Sequence, residues 1–72
     1  MTASMIREML HAAPFRPFQV LTSDGNRWPV DHPDFLSISP ASDVVVIYKP
    51  TGGFTAIDPA KINSLDIQPV RP

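Results

Sequence analysis

The feature that most constrains this chain is a turn signal, Ser23-Asp24-Gly25, between two short segments rich in apolar and β-prone residues. The segments run from Phe15 to Thr22 and from Asn26 to Val30. Glycine accepts a positive φ without a Cβ clash, and an aspartate before it bonds readily to nearby backbone amides. The stretch therefore predicts a β-hairpin on which later segments pack.

The length of the turn decides which side chains share a face of the hairpin. A two-residue loop pairs Leu21 with Trp28, whereas a three-residue loop with its glycine in the left-handed conformation pairs Val20 with Trp28 and Phe18 with Val30. Only the second register gathers four large apolar side chains on one face. We therefore predict the three-residue loop and expect the Trp28 ring to lie in the core.

Length and composition limit the size of that core. The 72 residues have room for one domain, and the chain contains no cysteine that could form a disulfide or a thiolate zinc site. A chain this short buries about 60% of its unfolded surface, so we expect a stability on the order of 3–5 kcal/mol unless copies associate.

Charge and hydropathy point away from nucleic acid and membranes. The net charge is −1, and the six basic and seven acidic residues are scattered singly, without the clustered lysines and arginines typical of nucleic-acid binding. No apolar run approaches the roughly 20 residues of a membrane span, and the N-terminus lacks the pattern of a secretory signal. We expect a cytoplasmic protein with no membrane contact.

The periodicity predicts one helix and five or six short strands. The helix is expected over residues 3–13, ended by Pro14 because the residue before a proline avoids the helical region. A single helical turn is expected at residues 59–61, just before the last strand. The expected strands are Phe15–Thr22, Asn26–Val30, Phe35–Ile38, Val44–Lys49, Phe54–Asp58 and Ser64–Gln68.

Val44–Lys49 is apolar on both faces, which is typical of a central or covered strand. We expect the helix, or a partner subunit, to cover its second face. Because all connections are short, the strands suit an antiparallel meander. We predict a mainly β fold with one N-terminal α-helix. It is a small, strongly bent, five-stranded antiparallel barrel in a single domain, with the barrel over residues 15–68 and a fraying tail at 69–72.

The one cluster that resembles a chemical site is Asp31-His32-x-Asp34. Two carboxylates around an imidazole can bind a divalent metal or act as acid and base, yet they are more often a solvated polar corner, which we favour here. There is no glycine-rich loop leading into a helix and no nucleophile motif beside either histidine. We predict neither an enzyme nor a bound cofactor, and no small-molecule substrate is evident.

Aromatic residues next to basic ones are a feature of proteins that bind single-stranded nucleic acid. Three such pairs are present, and the rings are equally explained as core residues beside solvated charges, the reading we favour for Trp28. The candidates for RNA binding are Arg16, Arg27, Tyr48, Lys49 and Lys61.

Several segments resemble those of a group of short uncharacterised bacterial proteins. These are residues 14–18 (PFRPF), 24–27 (DGNR), 32–35 (HPDF) and 57–59 (IDP) with Ile62. In that group the second and third segments are of DGR and HPEF type, so Asn26 is inserted here and Asp34 replaces a glutamate. The resemblance spans nearly the whole chain and implies no particular function.

The order of elements also resembles that of Sm-like, SH3-type small barrels, including the bacterial Sm-type RNA chaperone. There too an N-terminal helix precedes a bent five-stranded barrel, and Tyr48-Lys49 stands where the chaperone has a Tyr-Lys-His segment, with Pro50 in place of the histidine. This resemblance implies a barrel and RNA binding.

Two functions follow as hypotheses. The first is a non-enzymatic interaction module that acts through protein contacts as a homo-oligomer. The reason is that Val44–Lys49 is apolar on both faces, and this short chain has no cysteine for a disulfide or a thiolate zinc site that could stabilise it otherwise. The alternative is an Sm-like RNA-binding protein.

Overall fold

The computed structural model describes residues 1–67 and 69 of the chain. The elements in chain order are α1 Ala3–Leu10, β1 Phe18–Thr22, β2 Arg27–Val30, β3 Leu36–Ile38, β4 Val45–Tyr48, β5 Phe54–Ile57 and β6 Ile62–Ile67. The strands form two antiparallel sheets of three strands each, in the orders β2-β1-β6 and β3-β4-β5. Two short 3-10 turns, Pro33–Phe35 and Pro59–Lys61, precede β3 and β6.

The prediction of a mainly β fold with an N-terminal helix is confirmed. The prediction of a five-stranded barrel over residues 15–68 is wrong. Six strands form two separate sheets. A bent barrel needs one strand that continues from the first sheet into the second. Here the chain leaves β2 at Val30 and makes a 3-10 turn before β3 begins at Leu36. Pro33, in that turn, also has no N–H to give to a ladder.

The predicted hairpin register is confirmed. Val20 pairs with Trp28 and Phe18 with Val30, and the Thr22 N–H donates to the Asn26 carbonyl at 3.1 Å to close the loop. Gly25 has a φ of +88°, the left-handed conformation that a side chain disfavours.

The expected place of the Trp28 ring is wrong, because the ring is half-buried at the edge of the core rather than inside it. Its indole N–H donates to the Thr22 hydroxyl at 3.3 Å. A buried indole needs such an acceptor, and Thr22 lies at the turn end of the hairpin, so the ring is directed toward the turn.

The core lies between the two sheets and is completed by the helix. Val45 and Ile47 of the central strand β4 face it, and Ile6 of α1 is fully buried against them. The buried cluster consists of Ile6, Phe18, Val20, Val30, Leu36, Val45, Ile47 and Ile62.

The helix is shorter than predicted, since it ends at Leu10 and the His11 N–H closes its last turn on the Arg7 carbonyl at 3.0 Å. The strand expected from Phe15 begins only at Phe18. Pro17, just before it, cannot donate to a ladder. Among the described residues, no helix combines the length and the hydrophobicity that crossing a bilayer requires.

At the other end of the chain, β6 begins at Ile62, two residues earlier than predicted, because Ile62 is 2% exposed and joins the core directly after the 3-10 turn. A bulge follows: Leu21 pairs with Ser64 and Thr22 with Ile62, which leaves Asn63 without a partner residue in β1. Pro69 is described as exposed, whereas Gln68 and residues 70–72 of the expected tail lie outside the described residues.

We predict that Ile6→Ala destabilises the protein by about 2–5 kcal/mol, because it empties a fully buried site between helix and sheets. The matched control is Met5→Ala, since the neighbouring Met5 is 52% exposed and its truncation should change stability by less than about 0.5 kcal/mol. Urea unfolding followed by circular dichroism measures both. Equal losses for the two variants would show that Ile6 does not anchor the helix.

Candidate functional site

A cleft of about 400 Å³ opens between the β1–β2 hairpin turn and strand β5. One wall is formed by residues 22–24 with Trp28, and the opposite wall by the consecutive residues 55–58. Lys61, at the end of the second 3-10 turn, completes the lining. The Ser23 N–H donates to the Lys61 carbonyl at 2.9 Å, so this bond joins the hairpin turn to the 3-10 turn.

Trp28 supplies the aromatic surface of the cleft. Its indole N–H is held by Thr22, and the ammonium nitrogen of Lys49 lies 5.8 Å from the centre of its ring. A cation at this distance is attracted by the negative face of the indole. Trp28, which lines the cleft together with Lys61, is thus also in contact with Lys49, the residue that follows β4.

The two carboxylates of the cleft are engaged in holding its turns. Asp24 accepts from the Thr22 hydroxyl, from the Asn26 backbone N–H at 3.2 Å and from the Asn26 side-chain amide at 3.0 Å. The Thr22 bond is the largest of the causes that place the pKa of Asp24 below its ordinary value. Asp58 accepts from the Ala60 N–H at 2.9 Å and caps the second 3-10 turn.

The two lysines differ from the carboxylates in this respect. Neither Lys49 nor Lys61 has a carboxylate within ion-pair distance in the described part of the chain. Both side chains belong to exposed residues. Hydrogen bonds from neutral donors do not cancel the charge of a carboxylate, so the site combines these two lysines with the carboxylates of Asp24 and Asp58.

The five predicted RNA-binding residues do not share one surface. Lys61 lines the cleft and Lys49 lies over the ring of Trp28, another lining residue, whereas Tyr48 lies on the opposite face of β4 from the core residues. Arg27 lies on the outer face of the first sheet, where its guanidinium donates to Gln19 at 3.0 Å and to the Asp66 carboxylate at 3.2 Å. Arg16 is half-buried in the segment before β1.

The Asp31-His32-x-Asp34 corner is exposed at all three polar positions. The His32 ring packs edge-on against Phe35, with ring centres 5.7 Å apart. In residues 1–67 and 69, no group of three or more histidine, cysteine or acidic side chains is placed to hold a metal ion.

A second surface is the outer face of the sheet β3-β4-β5, here called the aromatic face. Phe54 is 64% exposed and Tyr48 is 42% exposed, with ring centres 6.3 Å apart. The register places no charged side chain from these three strands on this face. Its members are Ser37, Val46, Tyr48, Phe54 and Ala56.

The helix does not cover the aromatic face, contrary to one of the two expectations for the second side of β4. The helix contacts β3, and Ile6 belongs to the same buried cluster as Val45 and Ile47, which point to the opposite side of the sheet from Tyr48. Phe54, the most exposed large apolar residue described, was not among the predicted site residues. The alternation of side chains across the Gly52-Gly53 turn, between β4 and β5, could have identified Phe54, since it pairs with Tyr48.

The sequence matches no protein-family model, no curated protein and no solved structure. The functional argument therefore depends on the geometry of the cleft and of the aromatic face.

We predict that Thr22→Val raises the pKa of Asp24 toward its ordinary value of 3.8, because the variant removes the hydroxyl donor. Nuclear magnetic resonance titration of the side-chain carboxyl carbon measures this pKa. Thr55→Val is the matched control, since Thr55 lines the same cleft without bonding to Asp24. An unchanged pKa in Thr22→Val would contradict the assigned role of the hydroxyl.

The sign of the pH dependence follows from the lowered pKa. Folding favours the charged carboxylate, so the contribution of Asp24 to stability is fully present above pH 3.8 and is lost as the pH falls through the lower folded pKa. Urea unfolding of wild type and Asp24→Asn should therefore differ most near neutral pH. The difference should shrink in acid, and a constant difference across this range would contradict the linkage.

Proposed function

We propose that this chain is a non-enzymatic protein-interaction module that self-associates through the aromatic face. The observation that supports the proposal is the exposure of Phe54, 64%, beside the half-exposed ring of Tyr48. Exposed apolar patches on small domains are typical of interaction sites, and aromatic residues are enriched in the buried centres of interfaces.

The partner to which we commit is a second copy of the chain. A twofold interface brings the same patch of each copy together, so any charge on the patch would meet its own like charge. The strands place no charge on the aromatic face, and self-contact there leaves no buried ion without a partner. Association also adds stability to a small domain, because binding that involves only the folded state favours folding.

We predict that Phe54→Ser weakens self-association by about 100-fold or more. Burying a phenylalanine side chain contributes about 1.5–3 kcal/mol, and each residue of a twofold interface counts twice. Light scattering over a concentration series should show wild type as a dimer of the 7.9 kDa chain and the variant as a monomer.

The control is Met5→Ser, because Met5 is 52% exposed but lies on the helix, away from the aromatic face. It should leave the association constant unchanged. A wild type that stays monomeric at several hundred micromolar would rule out the proposal. Equal weakening by both substitutions would show that general hydrophobicity, rather than this face, drives association.

RNA binding is the second candidate, and one observation favours it: Lys49 lies over the Trp28 ring and Lys61 lines the same cleft as Trp28, with neither lysine engaged in an ion pair in the described residues. Bases stack on aromatic rings while cations neutralise phosphates. The pairing of Arg27 with Asp66 and the position of Tyr48 on the other face of β4 count against a continuous RNA surface.

If RNA binding is the function, labelled U-rich or A-rich RNA should bind at low salt and be released as salt rises, because phosphate contacts displace counterions. Lys49→Ala and Lys61→Ala should each weaken binding, while Arg7→Ala, on the helix, should not. Absence of binding at tens of micromolar protein in low salt would reject this candidate.

A further inference from the structure

The cleft beside the first hairpin turn contains hydrogen-bonding groups that the fold itself does not use. Ser23 and Thr55 belong to its lining, and neither hydroxyl forms a hydrogen bond within the described part of the chain. Asp58 accepts from the Ala60 N–H through Oδ1 alone, so its Oδ2 has no donor among the described residues. Lys61 adds an ammonium group, and hydroxyls can donate as well as accept. The cleft therefore offers a ligand donors and acceptors together.

The charges at the cleft are of both signs and balance one another. Asp24 and Asp58 each contribute one negative charge to the lining. Lys61 contributes one positive charge, and Lys49, over the ring of Trp28, contributes a second. Although Asp58 and Lys61 line the same cleft, they are not within ion-pair distance of each other. A formal sum of zero gives no net attraction for ligands of either sign, so the site suits a polar ligand without charge.

Trp28 adds an apolar surface to this polar lining. Its one polar group, the indole N–H, already donates to Thr22, so the ring itself is what Trp28 can offer to a ligand. Because Trp28 lines the cleft and Lys49 does not, part of the ring is open to the cleft despite the nearby ammonium group. The face of an indole carries partial negative charge, which attracts the weakly positive C–H groups of a ligand.

Carbohydrates combine these two properties in one small uncharged molecule. A pyranose ring has C–H groups on its faces and hydroxyls around its rim, each of which both donates and accepts. The C–H groups match the ring of Trp28, and the hydroxyls match the mixed donors and acceptors of the lining. The cleft volume of about 400 Å³ lies within the usual size of small-molecule sites, roughly 300–1,000 Å³.

We propose that the cleft binds a neutral carbohydrate, with one face of a pyranose ring on Trp28 and its hydroxyls bonded to Asp58 and Lys61. The Asp58 Oδ2 accepts from one hydroxyl, and the Lys61 ammonium group donates to another. Bonds of this kind are stronger than those between neutral groups, because one partner is charged. The site is distinct from the aromatic face, with which its lining has Ala56 in common.

Saturation-transfer nuclear magnetic resonance on the full chain tests the proposal, because it detects the weak, millimolar binding expected of a single sugar ring. The probes are the methyl pyranosides of glucose, galactose and mannose. Irradiation of the aromatic protons of the protein should transfer saturation saturably to at least one of them, most strongly to the C–H protons of one ring face. Absence of saturable transfer to all three at tens of millimolar would overturn the proposal.

Charged analogues test whether the ligand is selected without charge. Methyl glucuronide adds an anion to the ring, and methyl glucosaminide adds a cation. Both should bind within about tenfold of the neutral glycoside, because exposed charge pairs contribute little. An analogue of either sign that binds more tightly than this would overturn the proposal. Leucine is the zwitterionic control, and tighter binding of leucine than of every glycoside would also overturn it.

Asp58→Asn separates recognition from folding. Asparagine keeps an acceptor for the Ala60 N–H, so the 3-10 turn should persist, as circular dichroism can check. Loss of the carboxylate should weaken glycoside binding about tenfold or more. The matched control is Asp31→Asn, since Asp31 is exposed and does not belong to the lining. Equal affinities of the two variants would overturn the role assigned to Asp58.

Stacking is tested at Trp28. Trp28→Leu keeps an apolar side chain without an aromatic face, so glycoside binding should weaken about tenfold or more, and Trp28→Phe should recover part of the loss. Unchanged affinity in a folded Trp28→Leu variant would overturn the stacking. If that variant does not fold, the Trp28→Phe variant and the one-sided saturation pattern of the wild type decide.

Self-association is separated from sugar binding with Phe54→Ser, which is expected to be monomeric. This variant should bind the glycoside as the wild type does, so the two proposals fail separately. Glycoside binding by wild type that disappears as the chain concentration rises would mean that a second copy fills the cleft, and would overturn the assignment of the cleft to a sugar.

Discussion

The three-residue loop of the first hairpin is the constraint on which the rest of the structure depends. With Gly25 at a φ of +88°, Val20 stands opposite Trp28 and Phe18 opposite Val30. A loop one residue shorter would move the side chains of β2 to the other face of the sheet relative to those of β1, because side chains alternate along a strand. Phe18 and Val20 are 1% and 0% exposed, so the core between the sheets could not form in that register.

The same hairpin sets the geometry of the cleft. Thr22, its last paired residue before the turn, accepts from the Trp28 indole and donates to Asp24. Ser23 then bonds through its N–H to the carbonyl of Lys61. One short turn thus orients the aromatic ring and a carboxylate, and its Ser23 bond joins it to the second 3-10 turn, Pro59–Lys61. Core formation and cleft formation are therefore coupled through Thr22 and its neighbours.

Strand parity explains what could be predicted from the sequence. Parity is a local property, so the first hairpin was predictable from Gly25 and the positions of Phe18 and Val20. The same reasoning across the Gly52-Gly53 turn places Phe54 opposite Tyr48 and would have identified the aromatic face. Closure of a barrel was not predictable, because it depends on whether the chain between Val30 and Leu36 continues the ladder.

The cleft was only partly predictable for a related reason. Lys49 and Lys61 were recognised as basic residues, but the approach of Lys49 to the Trp28 ring, and the cleft that Trp28 shares with Lys61, join distant parts of the chain. The half-burial of the Trp28 ring was missed because its indole N–H needed an acceptor, and the position of Thr22 supplied one at the rim. A polar group on a large aromatic can thus override the apolar pattern of its strand.

The aromatic face is left open by the short helix. Eight residues of α-helix extend about 12 Å, enough to cover one side of one sheet. Ile6 places that cover on the core side, where Leu36, Val45 and Ile47 would otherwise be open to water. No other helix of that length is present in residues 1–67 and 69 to lie over Phe54 and Tyr48. Tyr48 and Phe54 therefore remain exposed on the outer side of the sheet, and the proposed self-association would cover them with the same uncharged face of a second copy.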